Sequence, residues 1–404
     1  MLRTAEDVTR TMGEMKGAVM KVGQVMSMMT GLVPEEMAAQ LATLQAEAPP
    51  MAYPLVEQVF REEFGAPPGR LFRGFDREPF AAASIGRVHR AELPDGKPVA
   101  VKVQYPGVRE AIGHDLANVG MLISAAGMVS RGLDAGPIVE DLKAGITDEL
   151  DYRREGKWQE RFGRLYESHA FVRVPRVYRE QSGGRVLVQE FLEGEPMWAA
   201  FDRPQAERDR IGEMVFRFAF GSLYRHGLFN GDPHPGNFLL LGDGSVGFVD
   251  YGCVTEFEPG TVESFKRIIR ALLEGDIDEW RTATEDMGIL KRGAPFSTEE
   301  LYEHMHWFWK PILAEEMIFT PELAGEMIRR NTMTTGKGGA INRWCNVPRG
   351  MVFLTRINFG LAGLLASLGA SGPWRAIVRE YVYDEPPATE LGQLSAATSR
   401  GASI

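Results

Sequence analysis

The sequence predicts an α+β chain of two lobes, a small strand-containing one followed by a larger, mainly helical one. Three observations carry that prediction. Gly86–Leu93 alternates as a strand, Asp95-Gly96 turns the chain, and Pro98–Val103 returns as a second strand. Beyond Glu193-Gly194 the apolar residues recur at helical spacing, as in Ile211, Val215, Phe218 and Leu223. Ahead of both, Val8, Met12, Met15, Val19, Val22, Met26 and Met29 alternate spacings of four and three, a continuous apolar seam along one helix face.

In chain order, Thr4 and Asp7 make a capping-box start for that first helix. Its seam has two readings: docking on the body of the same protein, or a surface for lipid or a partner helix. Pro34 opens a second helix through Leu44, and Pro49-Pro50 end it. Residues 1–50 therefore form a helical extension. Residues 51–192 form the small lobe, with the hairpin above, a long helical region from Asp115 to about Tyr166, and strands at Val172–Val177 and Arg185–Phe191. Residues 193–385 form the helical lobe, with helices at Gln205–His226, Thr261–Leu273, Glu299–Met317 and Val352–Leu368. Residues 386–404, small and polar, read as a disordered tail.

Composition narrows the class. Of 404 residues, 44% are apolar and 25% charged, an ordinary globular balance. A net charge of −10 argues against a nucleic-acid partner. Cys253 and Cys345 share no short spacing that would ligate a metal, so a reducing compartment is the expectation. Met1-Leu2-Arg3-Thr4 runs into a charged helical pattern without the apolar core of a signal peptide. The uncharged run Ile357–Trp374 carries Asn358, two serines, four glycines and Pro373, the composition of a packed helix and not of a bilayer span. The expected location is cytoplasmic, with membrane association confined to the inner membrane surface.

The chemistry concentrates in Gly231-Asp232-Pro233-His234-Pro235-Gly236-Asn237 and in Asp250-Tyr251-Gly252, which follows the apolar run Val246–Val249. A carboxylate five residues before an amide, and a second carboxylate after a short strand, is the polar set that holds Mg²⁺ on a nucleoside triphosphate and aims a hydroxyl at it. Asp232 would accept the nucleophile's proton, while Asn237 and Asp250 would be oxygen ligands suited to hard Mg²⁺. The same residue types also make turns, so a purely structural loop is the bland alternative. Lys102 ends an apolar strand, from which a lysine reaches α- and β-phosphates when a helix carboxylate holds it, and Glu155 is the candidate partner. Upstream, Ala81-Ala82-Ala83-Ser84-Ile85-Gly86 stands where a glycine-rich loop would cover phosphates. Its Cβ atoms predict an altered nucleotide pose. Glu190 and Leu192 are further candidate nucleotide contacts. His234 reads as structural ahead of catalytic, and His304 with His306, two apart on a helix, as a poor metal pair.

Together these residues resemble the UbiB/AarF family of atypical kinase-like proteins, known for supporting ubiquinone and other isoprenoid-lipid pathways. The resemblance runs from about Met12 to Tyr383. It rests on Lys21-Val22-Gly23-Gln24, Ala81–Gly86, Val101-Lys102-Val103-Gln104, Glu149-Leu150-Asp151 with Glu155, and the Asp232–Asn237 and Asp250–Gly252 motifs. It implies a bilobal protein-kinase-like fold, ATP or ADP with Mg²⁺ as cofactors, and a Lys102–Glu155 pair at the phosphates. It also implies an N-terminal lid in which Lys21 and Gln24, with Glu149 and Asp151 nearby, occlude the region where a protein kinase takes peptides. By itself Lys21 would be a solvated surface lysine.

Three positions depart from the family pattern. Arg87 replaces a glutamine and is expected to add charge near the phosphates. Asn230 replaces a histidine that braces the catalytic loop, and Trp158 replaces an asparagine after Glu155. The function expected is an ATPase or a small-molecule or lipid kinase. An aminoglycoside- or choline-kinase-like phosphotransferase and a nucleotide-sensing scaffold without turnover are the alternatives. Expected partners are the nucleotide, a lipid or quinone precursor, a membrane surface, and a second copy or partner protein on the Met-rich helix.

Overall fold

A computed structural model describes residues 51–83, 85–109, 147, 150–331, 333, 335–346, 348 and 352–401. The N-terminal extension with Lys21 and Gln24, the alanine-rich segment's Ser84, the beginning of the expected long helix, and Glu149 lie outside the described residues. The described chain falls into two compact units.

The first unit, whose described residues fall within Met1–Val129, Leu142–Arg161 and Pro175–Leu192, is built on a five-stranded antiparallel sheet. Helix α1 (Tyr53–Phe64) precedes β1 (Gly74–Phe75), β2 (Ala81–Ala83), β3 (Gly86–Glu92) and β4 (Pro98–Gln104); α2 (Tyr152–Leu165), which belongs to this unit as far as Arg161, and β6 (Val186–Glu190) complete it. The order is β1-β3-β4-β6, with β2 on β3. Opposed residues share a sheet face, and the two faces have different company. His89, paired with Val101, stacks on Phe75, which meets Phe60 of α1 edge-on. The other face carries Val88, Lys102 and Leu187 in one row. Gly156 of α2 approaches that row: a Cβ on it would stand 3.3 Å from Leu187 Cδ1.

The second unit, whose described residues fall within Phe162–Val174 and Glu193–Ile404, centres on α3 (Gln205–His226). Its helix runs where the periodicity places it, closed by Gly227 in the left-handed conformation at φ 64°. A four-stranded sheet, ordered β5 (Val172–Arg173), β10 (Val246–Phe248), β9 (Phe238–Leu241) and β7 (Gly194–Pro196), packs on α3. Phe218 of α3 stacks on Phe248 with ring centroids 3.6 Å apart. A two-stranded ribbon pairs β8 (Leu228–Asn230) with β11 (Val254–Glu256). Helices α4 (Pro259–Glu274), α5 (Ile277–Asp286), α6 (Thr298–Met305), α7 (Pro321–Asn331), α8 (Gly336–Asn342), α9 (Val352–Leu368), α10 (Trp374–Val382) and α11 (Glu390–Gly401) follow, with the short pair β12 (Met317–Ile318) and β13 (Ser371–Gly372) between them. Among the described residues no helix is long and apolar enough to cross a membrane.

Three expectations are corrected. Val172–Val177 is not one strand of the small lobe: β5 pairs in parallel with β10 of the helical unit, Val246 N donating to Phe171 O, and only the far end of the segment stays with the small sheet, where Val177 bridges to Gln189 of β6. The helix expected over Glu299–Met317 stops at Met305, and Pro311, which has no N–H to donate, sits in a separate turn. The tail is not disordered between Glu390 and Gly401. Thr389 Oγ1 accepts from Arg217, Ala388 N donates to Glu380, and Leu391 and Ser395 of α11 are buried. Short polar side chains conceal this from sequence, since the contacts are hydrogen bonds from a distant helix.

Candidate active site

In the first unit the site is a buried ion pair. Lys102 sits in β4 between Val88 and Leu187, 5% exposed, and Glu155 in the first turn of α2 is 4% exposed. Lys102 Nζ donates to Glu155 Oε1 and lies 5.4 Å from the centroid of the Tyr152 ring. Burial of both charges demands such a partner. Asp151 sits at the start of α2, where its Oδ1 accepts from Arg153 N at 3.0 Å. Trp158, one turn beyond Glu155, carries the Arg161 guanidinium over its ring at 5.4 Å.

The alanine-rich segment is a strand here, with Ala81, Ala82 and Ala83 opposite Val88, Arg87 and Gly86. Gly86 is obligatory, since a Cβ there would lie 2.1 Å from Val103 O. Arg87 pairs with Val103 and so points to the face opposite Lys102, where its guanidinium stands 5.9 Å from the Tyr105 ring centroid. The charge expected near the phosphates is therefore on the other side of the sheet. Glu190 ends β6 opposite Val99, likewise off the Lys102 face, and its carboxylate accepts from Arg176 N at 3.1 Å. Leu192 follows it, after Phe191 N donates to Pro98 O.

In the second unit several hydrogen bonds within the motif hold the loop. Gly231 N donates to Cys253 O at 2.7 Å, extending the β8–β11 ribbon. Asp232 Oδ1 accepts from His234 N at 3.4 Å. His234 Nδ1 accepts from Gly236 N and caps the single turn Pro235–Asn237, a structural role. Asn237 Nδ2 donates to Asp232 O at 3.2 Å, which turns the amide oxygen to the opposite side. Val249 N donates to Asn237 O, and Phe238 pairs with Phe248, so Asn237 and Asp250 share one end of the β9–β10 hairpin. Asp250 Oδ1 accepts from Gly252 N at 2.9 Å, which fixes the carboxylate. Burial pushes the Tyr251 phenol well above its ordinary pKa, so this neighbour stays neutral.

One amide and one carboxylate, each oriented by the backbone, suit Mg²⁺, which takes one or two protein oxygens and completes its shell with phosphates and water. Among the described residues no group of three or more His, Cys, Asp or Glu side chains could hold a metal ion. His304 bonds Asn342 Oδ1 and His306 bonds Tyr302 O, each separately engaged. Asn230, expected to leave the loop unbraced, braces it: its Nδ2 donates to Asp250 O at 2.8 Å.

Sequence reasoning missed two neighbours of the loop. Gly360 of α9 lets Pro233 approach so closely that a Cβ on it would stand 2.4 Å from Pro233 Cγ. Trp198, 54% exposed, lies beside Gly236. The glycine within an apolar helix was the available signal for the first; Trp198 had none.

A lysine held by a helix carboxylate, with a GDPHPGN loop and an Asp-Tyr-Gly just after a short strand, defines the kinase-like class. Residues 43–284 match the ABC1 atypical kinase-like domain. The chain is 30% identical over 377 residues to AarF domain-containing protein kinase 1 of Xenopus tropicalis, covering 88% of this chain and 68% of that protein. It is 30% identical over 292 residues to the mitochondrial atypical kinase coq-8 of Caenorhabditis elegans, covering 71% of this chain and 39% of that one. Several other curated relatives are matched over about half their length. Among solved structures, the Rv3197–erythromycin complex of Mycobacterium tuberculosis superposes with a TM-score of 0.68 at 32% identity, covering 96% of this chain and 98% of that one. The chain belongs to the UbiB/AarF family of atypical kinase-like proteins, and its fold is the bilobal kinase-like one.

Proposed function

We propose that the protein is an ATP-binding, Mg²⁺-dependent enzyme of phosphoryl transfer, an ATPase or a kinase of a small molecule or lipid. The observation that carries this reading is the placement of Asn237 and Asp250 at one end of a hairpin, each steadied by a backbone bond, so that their oxygens could serve one cation. Bound Mg²⁺ would neutralise phosphate charge there. Asp232 would take the proton of the attacking hydroxyl or water, and Lys102, steadied by Glu155, would bind phosphate oxygens. Arg87 lies off the Lys102 face and Asn230 braces Asp250, so neither departure argues against turnover. The family resemblance supports a role in quinone or isoprenoid-lipid metabolism, with the protein acting at a membrane surface. Lys21, Gln24, Glu149 and Asp151 would form the lid that disfavours peptide substrates.

The test is ATP hydrolysis by the full chain, alone and with anionic lipid vesicles, small phenols or erythromycin. Asp232→Asn is expected to lower turnover about 10²- to 10⁴-fold, and Asp250→Asn to abolish its Mg²⁺ dependence. Mg²⁺-dependent nucleotide binding with no hydrolysis under any of these conditions would overturn the enzyme in favour of a nucleotide-sensing scaffold. Transfer to a sugar or amine-bearing hydroxyl would favour the phosphotransferase instead.

A further inference from the structure

Helix α2 carries Glu155 in its first turn, so whatever fixes the start of that helix also fixes the Lys102–Glu155 pair. Two anchors hold it. From the sheet side, Gln104 Nε2 at 3.1 Å and Arg109 Nη2 at 2.8 Å donate to Leu150 O, just ahead of the helix. From the segment before β6, Gly184 O accepts from Tyr152 N at 2.9 Å. That second anchor is itself held by α1. Glu63 Oε1 accepts from Gly184 N at 2.5 Å, and the carboxylate is seated on the buried Gly183-Gly184 pair, where a Cβ on Gly183 would stand 2.2 Å from the same oxygen. Glu63 also accepts from Arg153 Nη2 of α2 at 3.1 Å and from Arg185 Nε at 3.3 Å. The Arg153 side chain is 66% exposed, so that ion pair is weak in water, and the charge-assisted bond to the glycine amide carries the anchor. Charge on α1 is not what matters. The neighbouring Glu62 bonds Arg185 and Gln58, neither of them on α2.

We propose that Glu63, which lies in none of the motifs, is a positioning residue for the Lys102–Glu155 pair. It clamps the Gly183-Gly184 segment, that segment holds the first residue of α2, and the helix so fixed aims the Glu155 carboxylate at the Lys102 ammonium. One anchor alone leaves the start of α2 as a pivot; the second sets its direction. The effect on turnover rests on the phosphoryl-transfer reading, whereas the fixing of α2 does not.

Two measurements on the full chain separate them. Glu63→Ala is expected to speed amide hydrogen exchange at Tyr152 and through the first turn of α2 about tenfold, while Glu62→Ala leaves it unchanged. In the same Glu63→Ala protein kcat for ATP hydrolysis should fall about 10²-fold, more than KM rises, because a small misplacement of a group at the phosphates costs that much. Glu63→Gln keeps an oxygen for Gly184 N and should restore most of both. Gly183→Ala leaves every charge in place but displaces the carboxylate, so it should reproduce Glu63→Ala, and it carries the test if Glu63→Ala does not fold. Exchange that quickens in α1 and at Gly183-Gly184 but not in α2 would overturn the positioning role. So would wild-type kcat in a Glu63→Ala protein that keeps its urea midpoint. No turnover in the wild type, with exchange in α2 quickened by Glu63→Ala, would sink the enzymatic reading alone.

Discussion

Each unit contains a buried ion pair, and the two are chemically different. In the helical unit Arg217 grips Glu380 with two parallel bonds of 2.8 Å, while its Nε goes to Glu213 and Nη2 also to Thr389. A planar fork with its donors committed in one geometry is a fastener. In the first unit Lys102 meets Glu155 through an ammonium, a compact charge with three rotatable donors. Such a group can keep its carboxylate and still turn a donor to a phosphate. Burial of an ion pair therefore does not by itself mark a functional site, and the Lys102 pair is proposed as one on the chemistry of its ammonium.

The conservative swaps at the two pairs should thus have opposite consequences. Arg217→Lys keeps the charge and loses the fork, and Glu380→Ala leaves the buried guanidinium with Glu213 as its remaining carboxylate, at a cost of up to about 3–5 kcal/mol. Both should lower the urea midpoint and expose the segment from Ala388 onward to protease, since Glu380 holds Ala388 N. Lys102→Arg should leave the midpoint almost unchanged and abolish ATP turnover. If instead Lys102→Arg melts the protein while Arg217→Lys is tolerated, the distinction between fastener and working pair fails.

A second anchor of the same C-terminal helix gives a smaller, pH-dependent effect. His169 Nε2 meets Ser395 of α11 at 2.9 Å. Burial first, then Arg225 and Arg173, hold its pKa down to about 4. The unfolded chain binds this proton at about pH 6.5, so between the two values it is the unfolded state that takes up more protons. The contribution is therefore complete above about pH 6.5 and is lost as pH falls towards 4, to the extent of about 3 kcal/mol. Urea midpoints measured across that window should decline in the wild type and flatten in His169→Gln. An equal decline in both would assign the acid sensitivity elsewhere.

What the sequence disclosed and what it hid divide along the same line. Asp232, Asn237 and Asp250 were legible because the bonds that orient them run within a few residues, as from Gly252 N to Asp250 or from Asn237 to Asp232. The α3 helix was legible to the residue because periodicity and Gly227 are both local signals. Arg217–Glu380 joins residues 163 apart, and His169–Ser395 residues 226 apart, so neither leaves a mark in any window. The polar segment after Pro386 consequently read as disorder, although its bonds lie on α3 and α10. Arg87 was misplaced for another reason. Its distance along the chain from Gly86 is right, but strand alternation, visible only once the register is known, sends it to the far face.

The smallest of the expected effects tests how rigidly the catalytic loop is held from outside its own motif. Gly360 stands inside α9, where alanine would ordinarily be favoured over glycine by about 1 kcal/mol. A methyl group there would meet Pro233 Cγ at 2.4 Å, and a proline ring cannot swing aside as a long side chain would. Gly360→Ala should consequently forfeit the helix gain and become mildly destabilising, and Gly360→Val should cost about 1–3 kcal/mol as an overpacked contact. Because the strain falls on Pro233, next to Asp232, kcat should drop in both while nucleotide affinity changes little. A Gly360→Ala protein that is more stable and fully active would show that the loop yields freely, leaving Asn230 and the β8–β11 ribbon to hold the geometry.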